Sequence, residues 1–159
     1  MVHGMEIIPL SDAIGAEIRG IDLSQRPDEA TIAAIKDAWH EHIVLLFRGQ
    51  TLGVEEHTAF AGRFGEVGKH MRPKKIRNEA AELGPNVMLV SNIRENGKPI
   101  GSLPDGEMMF HSDTPYRERP DKATTLYAME IPSTGGNTIF ANCYLAAETL
   151  PDDVKRTLA

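Results

Sequence analysis

Apolar and polar residues alternate in short runs near the start of the chain. Glu6-Ile7-Ile8-Pro9-Leu10 reads as a short edge strand, because Pro9 cannot donate to a ladder. Gly15-Ala16-Glu17-Ile18-Arg19-Gly20 reads as a second short strand between glycines. The period then lengthens. Over residues 28–42, Ile32, Ile35, Ala38 and Trp39 recur at helical spacing, which predicts an amphipathic helix. Ile43-Val44-Leu45-Leu46-Phe47 is an unbroken apolar run, the pattern of a strand buried on both faces. Thr51 suits an N-cap, with Glu55 and Glu56 in the first turn of a helix that carries Phe60 and Phe64 on one face and stops at Gly65.

From Val67 to Pro85 the pattern dissolves into charged, irregular sequence. A loop of about 20 residues in a compact domain is usually functional or disordered. Residues 87–91 predict a strand, and Asn96-Gly97 a hairpin turn. Leu103-Pro104-Asp105-Gly106 is a turn, followed by short strands at 108–113, 124–130 and 137–141. This succession predicts a mainly β architecture with flanking helices. Leu150-Pro151-Asp152-Asp153 starts a last helix that runs to Ala159.

Composition narrows the function classes. At 159 residues, the chain fits one domain. Its formal charge of −6 disfavours general nucleic-acid binding, which needs a basic surface to displace counterions. The single cysteine, Cys143, excludes an intrachain disulfide or a cysteine-rich zinc site. No apolar run approaches the roughly 18 residues that span a bilayer, and no signal-like segment opens the chain. The expectation is a cytoplasmic protein with neither nucleic acid nor membrane as a partner.

Phe110-His111-Ser112-Asp113 is the sharpest chemical feature. In a strand, positions i and i+2 share a face, so His111 and Asp113 would project side by side with Cα atoms about 7 Å apart. An imidazole and a carboxylate so placed can hold a divalent metal. With one further histidine they make the facial set that suits non-haem Fe(II) oxygenases. Alone, His-x-Asp also occurs as an ordinary surface or core pair. Met108-Met109-Phe110 beside it reads either as pocket lining or as core. Lys69, Arg72, Lys74, Lys75 and Arg77 crowd the long loop. They read either as a lid attracting an anionic substrate or as a solvated charge run.

Four segments in order carry a resemblance. They are Ile14-Gly15-Ala16-Glu17-Ile18-Arg19-Gly20-Ile21-Asp22-Leu23, Arg63-Phe64-Gly65-Glu66, the His111/Asp113 motif, and Ile131-Pro132-Ser133-Thr134-Gly135-Gly136-Asn137-Thr138. Together they resemble the taurine dioxygenase (TauD/TfdA) family of Fe(II)- and 2-oxoglutarate-dependent oxygenases, over essentially the whole chain.

The resemblance implies a double-stranded β-helix (jelly roll) and His111 and Asp113 as metal ligands, with no catalytic residue beyond the metal site. It implies that the Thr138 hydroxyl binds a 2-oxoglutarate carboxylate; the residues alone read Thr138 as a β-former after a Gly-Gly turn. His70 falls where taurine-specific members contact substrate, and reads otherwise as a solvated loop histidine. Pro73 stands where those members place a tyrosine, which argues against taurine itself. The implied reaction couples hydroxylation of a small organic molecule by O2 to release of succinate and CO2, and the loop cations make an anionic substrate the expectation. The implied assembly is a homo-oligomer.

The family carries a second metal histidine well beyond the His-x-Asp motif, and further on an arginine whose planar fork pairs the distal carboxylate of 2-oxoglutarate. Here no histidine follows His111; His3, His40, His42, His57 and His70 precede it. The chain therefore resembles the N-terminal portion of one such domain. The expectation is an incomplete jelly roll that leaves Leu126, Tyr127, Met129 and Ile139 exposed, and an active protein longer than 159 residues. Two rivals stand beside this reading. One is a non-catalytic fragment or binding module completed by a partner, which an immediate stop codon after Ala159 would favour. The other is a cupin-like metal protein that binds Fe(II) without 2-oxoglutarate.

Overall fold

The computed structural model of the chain describes residues 4–68, 83–101 and 109–158. Two compact units divide the chain, one formed by residues 1–50 and 128–159, the other by residues 51–127.

The first unit is built on a three-stranded sheet in the order β1-β2-β3. Strand β1 (Glu6–Pro9) pairs antiparallel with β2 (Ala16–Arg19), with Ile7 opposite Ile18. Strand β3 (Leu45–Phe47) pairs parallel with β2, with Phe47 opposite Ile18. A parallel pair needs a crossover, and helix α1 (Glu29–His42) supplies it. Asp28 caps α1, its carboxylate accepting from the Thr31 N–H at 2.8 Å. The helix ends where Ile43 turns left-handed at φ 68° and donates its N–H to the Trp39 carbonyl. Ile32, Ile35 and Ala38 face inward, and with Ala16, Ile18 and Leu23 they form the core. Gly20 holds φ +77°, and a Cβ there would collide with the Gly4 carbonyl, so only glycine can close this end of the β1–β2 ladder.

Two side-chain amides tie loops into this unit. Gln50 accepts from the Leu23 N–H at 2.9 Å and donates to the Ile21 carbonyl at 3.0 Å. Asn142 caps α3 (Cys143–Glu148) through the Tyr144 N–H, and its Nδ2 donates to the Ala13 carbonyl at 2.7 Å. Helix α4 (Asp152–Leu158) follows, with no buried residue.

In the second unit, α2 spans Val54–Ala61. Phe60 is buried and meets Phe64 edge to face at 5.2 Å. Strands β4 (Arg94–Glu95) and β5 (Lys98–Pro99) form a hairpin. Asn96 and Gly97 both hold positive φ, at 51° and 76°, the geometry of a type I′ turn.

Several expectations need correction. Strand β3 is half-buried and stands at a sheet edge, not buried on both faces; Ile43 is spent ending α1. Helix α2 is capped by Gly53, not Thr51, with no side-chain cap bond, and ends at Gly62 rather than Gly65. Thr51 lies too far before the first turn to reach its N–H groups. Residues 87–91 make a single bridge at Val90. Among the described residues, 109–113, 124–130 and 137–141 form no ladder. A strand exists only with a partner for its backbone N–H and C=O groups, and no described segment supplies one. The described residues are thus mixed strand and helix with small sheets, rather than mainly β. Leu126, Met129 and Ile139 are exposed as expected.

Glu17 is a buried carboxylate at 6% exposure in the central strand. The fork of Arg19 grips it through Nε at 2.9 Å and Nη2 at 3.1 Å, with Arg48 Nε 3.7 Å away. The Arg19 hydrogen bond holds its pKa below the usual carboxylate range. A depressed folded-state pKa stabilises the fold above the unfolded value of about 4.3, and that stability is lost as pH falls through the folded value. Glu17→Gln is therefore expected to lower the melting temperature of the protein at neutral pH, and the gap from wild type to close on acidification. A gap independent of pH would contradict the assignment.

Candidate metal and co-substrate site

The His111/Asp113 motif lies in the second unit, in an irregular stretch that nonetheless fixes both side chains. His111 Nδ1 is 2.9 Å from the Met109 carbonyl oxygen. A carbonyl only accepts, so Nδ1 carries the proton and Nε2 of the neutral ring is left with its lone pair. That Nε2 lies 3.4 Å from Asp113 Oδ1. The other carboxylate oxygen, Oδ2, accepts from the Thr124 hydroxyl at 2.7 Å.

In that tautomer two lone-pair atoms face each other, an arrangement that a proton or a metal ion shared between them would stabilise. Adjacent ligands at about 2.1 Å from an octahedral ion stand about 3 Å apart, so the observed separation fits a common metal with little adjustment. Imidazole plus carboxylate is a donor set that suits Fe(II). Both side chains are about half exposed, at 52% and 50%, which leaves the approach open. Among the described residues, no group of three or more His, Cys, Asp or Glu is placed to hold a metal; the His111/Asp113 pair stands without a third such partner there.

The loop after the motif is stapled on itself. Thr114 takes a left-handed φ of 53°, a conformation that costs a non-glycine residue about 1–3 kcal/mol. Its carbonyl accepts from the Arg117 N–H at 3.1 Å, and its hydroxyl from the Asp121 N–H at 2.9 Å. Arg117 Nη1 reaches Asp121 Oδ1 at 3.2 Å. This closure returns the chain so that Thr124 meets Asp113.

Tyr127 is half-buried rather than exposed, because its hydroxyl accepts from the Leu52 N–H at 3.1 Å and its ring lies 5.9 Å from His57. Burial pushes the His57 pKa down. Met109 and Phe110 are exposed and belong to no core. Thr138 stands in the first unit, exposed in an irregular segment after Gly135 and Gly136, which both hold positive φ. His40 and His42 sit at the end of α1, the His40 ring tilted against Trp39 at 5.3 Å and His42 beside Glu41 at 3.9 Å. His70, Pro73, Met108 and the cluster of Lys69, Arg72, Lys74, Lys75 and Arg77 lie outside the described residues.

The sequence reading missed the Met109 carbonyl, Thr114 and Thr124. The first belongs to the backbone and has no residue signature. The threonines take their partners through a loop closure that spacing alone does not reveal.

An imidazole nitrogen and a carboxylate oxygen so converged form a pair whose donor chemistry is compatible with a divalent metal. The model of the taurine catabolism dioxygenase TauD, TfdA family matches residues 6–159, and the chain belongs to that family, whose enzymes depend on Fe(II) and 2-oxoglutarate. The chain is 37% identical to pentalenolactone F synthase of Streptomyces avermitilis, over 99% of this chain and 52% of that protein. It is 32% identical to the alpha-ketoglutarate-dependent sulfate ester dioxygenase of Pseudomonas putida, over 95% of this chain and 46% of that protein. The crystal structure of a taurine dioxygenase from Burkholderia xenovorans aligns at 41% identity and a TM-score of 0.39, over 40% of this chain and 23% of that one. The chain thus spans about half the length of the curated relatives it matches. Among the described residues, no helix is long and apolar enough to cross a membrane.

The His111 tautomer is directly measurable. Nitrogen NMR of the labelled metal-free protein, at a pH above the imidazole range, is expected to show the proton on Nδ1 and a bare Nε2. A ring protonated on Nε2 would contradict the Met109 hydrogen bond.

Proposed function

We propose that the protein containing this chain is an Fe(II)- and 2-oxoglutarate-dependent oxygenase that hydroxylates a small, anionic organic substrate with release of succinate and CO2. The observation that carries the reading is the convergence of His111 Nε2 and Asp113 Oδ1 at 3.4 Å in a chain of this family. His111 and Asp113 would hold the iron. When bound, iron with 2-oxoglutarate and O2 supplies the oxidising chemistry that attacks a substrate C–H bond.

The residues of this chain do the rest. The Met109 carbonyl orients the imidazole, Thr124 orients the carboxylate, and the Thr138 hydroxyl binds a carboxylate of 2-oxoglutarate. His70 contacts the substrate; this role, like that of Thr138, rests on the family resemblance. An anionic substrate accords with the sulfate esters named for the Pseudomonas putida relative, and with the five cations between Lys69 and Arg77.

The same reading makes this chain the N-terminal portion of a jelly-roll domain, with the third metal ligand and the arginine for 2-oxoglutarate contributed from beyond these residues. The exposed Leu126, Met129 and Ile139 and the length of the relatives support it. A homo-oligomeric state is carried over from the resemblance alone.

The test is turnover by the protein expressed from its complete gene, given Fe(II), 2-oxoglutarate and a panel of organic sulfate esters and carboxylates. Succinate is expected to form in step with hydroxylated product. His111→Ala and Asp113→Ala are expected to lose more than the roughly 10–100-fold that follows removal of a supporting group. His70→Ala is expected to raise KM about tenfold, equivalent to about 1.4 kcal/mol of binding, with kcat little changed. No turnover of any anionic substrate, or full activity in Asp113→Ala, would overturn the reading.

A further inference from the structure

We propose that Thr124 is a positioning residue that keeps Asp113 a one-oxygen donor and so holds open a coordination position on the metal. The inference rests on the metal reading of His111 and Asp113 given above and adds a determinant to it.

A carboxylate can bind a metal through one oxygen or both. An oxygenase site must hold its metal on few protein ligands, because the co-substrate and O2 need the remaining positions. A carboxylate that swings to two-oxygen binding closes one of them. In this structure the two oxygens of Asp113 are already assigned. Oδ1 faces His111 Nε2, and Oδ2 accepts the Thr124 hydroxyl proton at 2.7 Å. That short bond to an ionised acceptor is of the stronger class, and rotating Oδ2 toward the metal would break it.

The placement of Thr124 is constrained by the loop. Thr124 lies eleven residues after Asp113, and the chain between them is closed by three contacts: Arg117 N–H to the Thr114 carbonyl, Asp121 N–H to the Thr114 hydroxyl, and Arg117 to Asp121. Thr114, next to the proposed ligand Asp113, holds its left-handed φ as part of that closure. Backbone strain beside a functional group persists where surrounding contacts over-determine it. Here those contacts aim the Thr124 hydroxyl at one carboxylate oxygen. Thr124 itself is exposed, so its hydroxyl contributes little to the core.

The test uses the metal-free protein from the complete gene, titrated with Mn(II) alone and read by the loss of the free-ion paramagnetic resonance signal. Thr124→Val keeps the shape and removes the donor; Thr124→Ser keeps the donor and removes the methyl. The expected result is Mn(II) binding weakened about 10–100-fold in the valine variant and restored to within about threefold of wild type in the serine variant. Both variants are expected to melt with wild type. Wild-type binding in Thr124→Val would overturn the inference while leaving the metal site standing. So would a serine variant as weak as the valine one, or a valine variant that melts early, since either makes Thr124 a packing residue. Failure of the wild-type protein to bind Mn(II) would bring down the metal site and the inference with it.

Discussion

Two lone pairs that face each other at 3.4 Å are the constraint on which the site depends. The Met109 carbonyl accepts from the Nδ1–H of the neutral His111 ring, and the Thr124 hydroxyl donates to one oxygen of Asp113. What remains is a bare nitrogen opposite a bare carboxylate oxygen. In the absence of a cation that arrangement is electrostatically unfavourable; a shared proton makes it an ion pair, and a shared metal ion would make it a ligand pair. The two side chains are held in this arrangement by the motif's own backbone and by a loop that doubles back eleven residues later.

The local rules of chain folding explain which parts of the molecule were readable. The β1–β2 ladder, α1 and the Asn96-Gly97 hairpin are encoded by neighbours: a proline at an edge, a capping aspartate, an apolar stripe at helical spacing, a turn that needs two positive φ values. Each keeps its meaning without distant partners. The expected strands at 108–113, 124–130 and 137–141 depended on partners that the described residues do not contain, and they remain unladdered. Alternation of apolar residues states which face would be buried, not what buries it. The Thr51 cap failed for a related reason: the helix starts two residues later, at Gly53, without any side-chain cap, and the backbone geometry that sets this start has no signature in the residue types.

The site was legible to the same depth. His111 and Asp113 stand out because an i, i+2 pair shares a direction, and the structure brings their donor atoms together although the stretch is irregular rather than a strand. Thr124 was invisible because its role depends on a loop closure set by Thr114 and Asp121. Tyr127 was misjudged as exposed because its polar end finds the Leu52 amide. A hydroxyl that can reach a backbone donor lets an aromatic ring be half-buried where a purely apolar side chain would stay in solvent.

Membership in the TauD/TfdA family and this ligand pair meet in one claim: that His111 and Asp113 bind iron on which 2-oxoglutarate chelates. The most direct measurement is the visible absorption of the protein from the complete gene under anaerobic conditions, with Fe(II) and 2-oxoglutarate added singly and together. The account predicts a weak charge-transfer band that needs both additions and disappears in Asp113→Ala. A band that forms with Fe(II) alone, that survives in Asp113→Ala, or that never forms would contradict it.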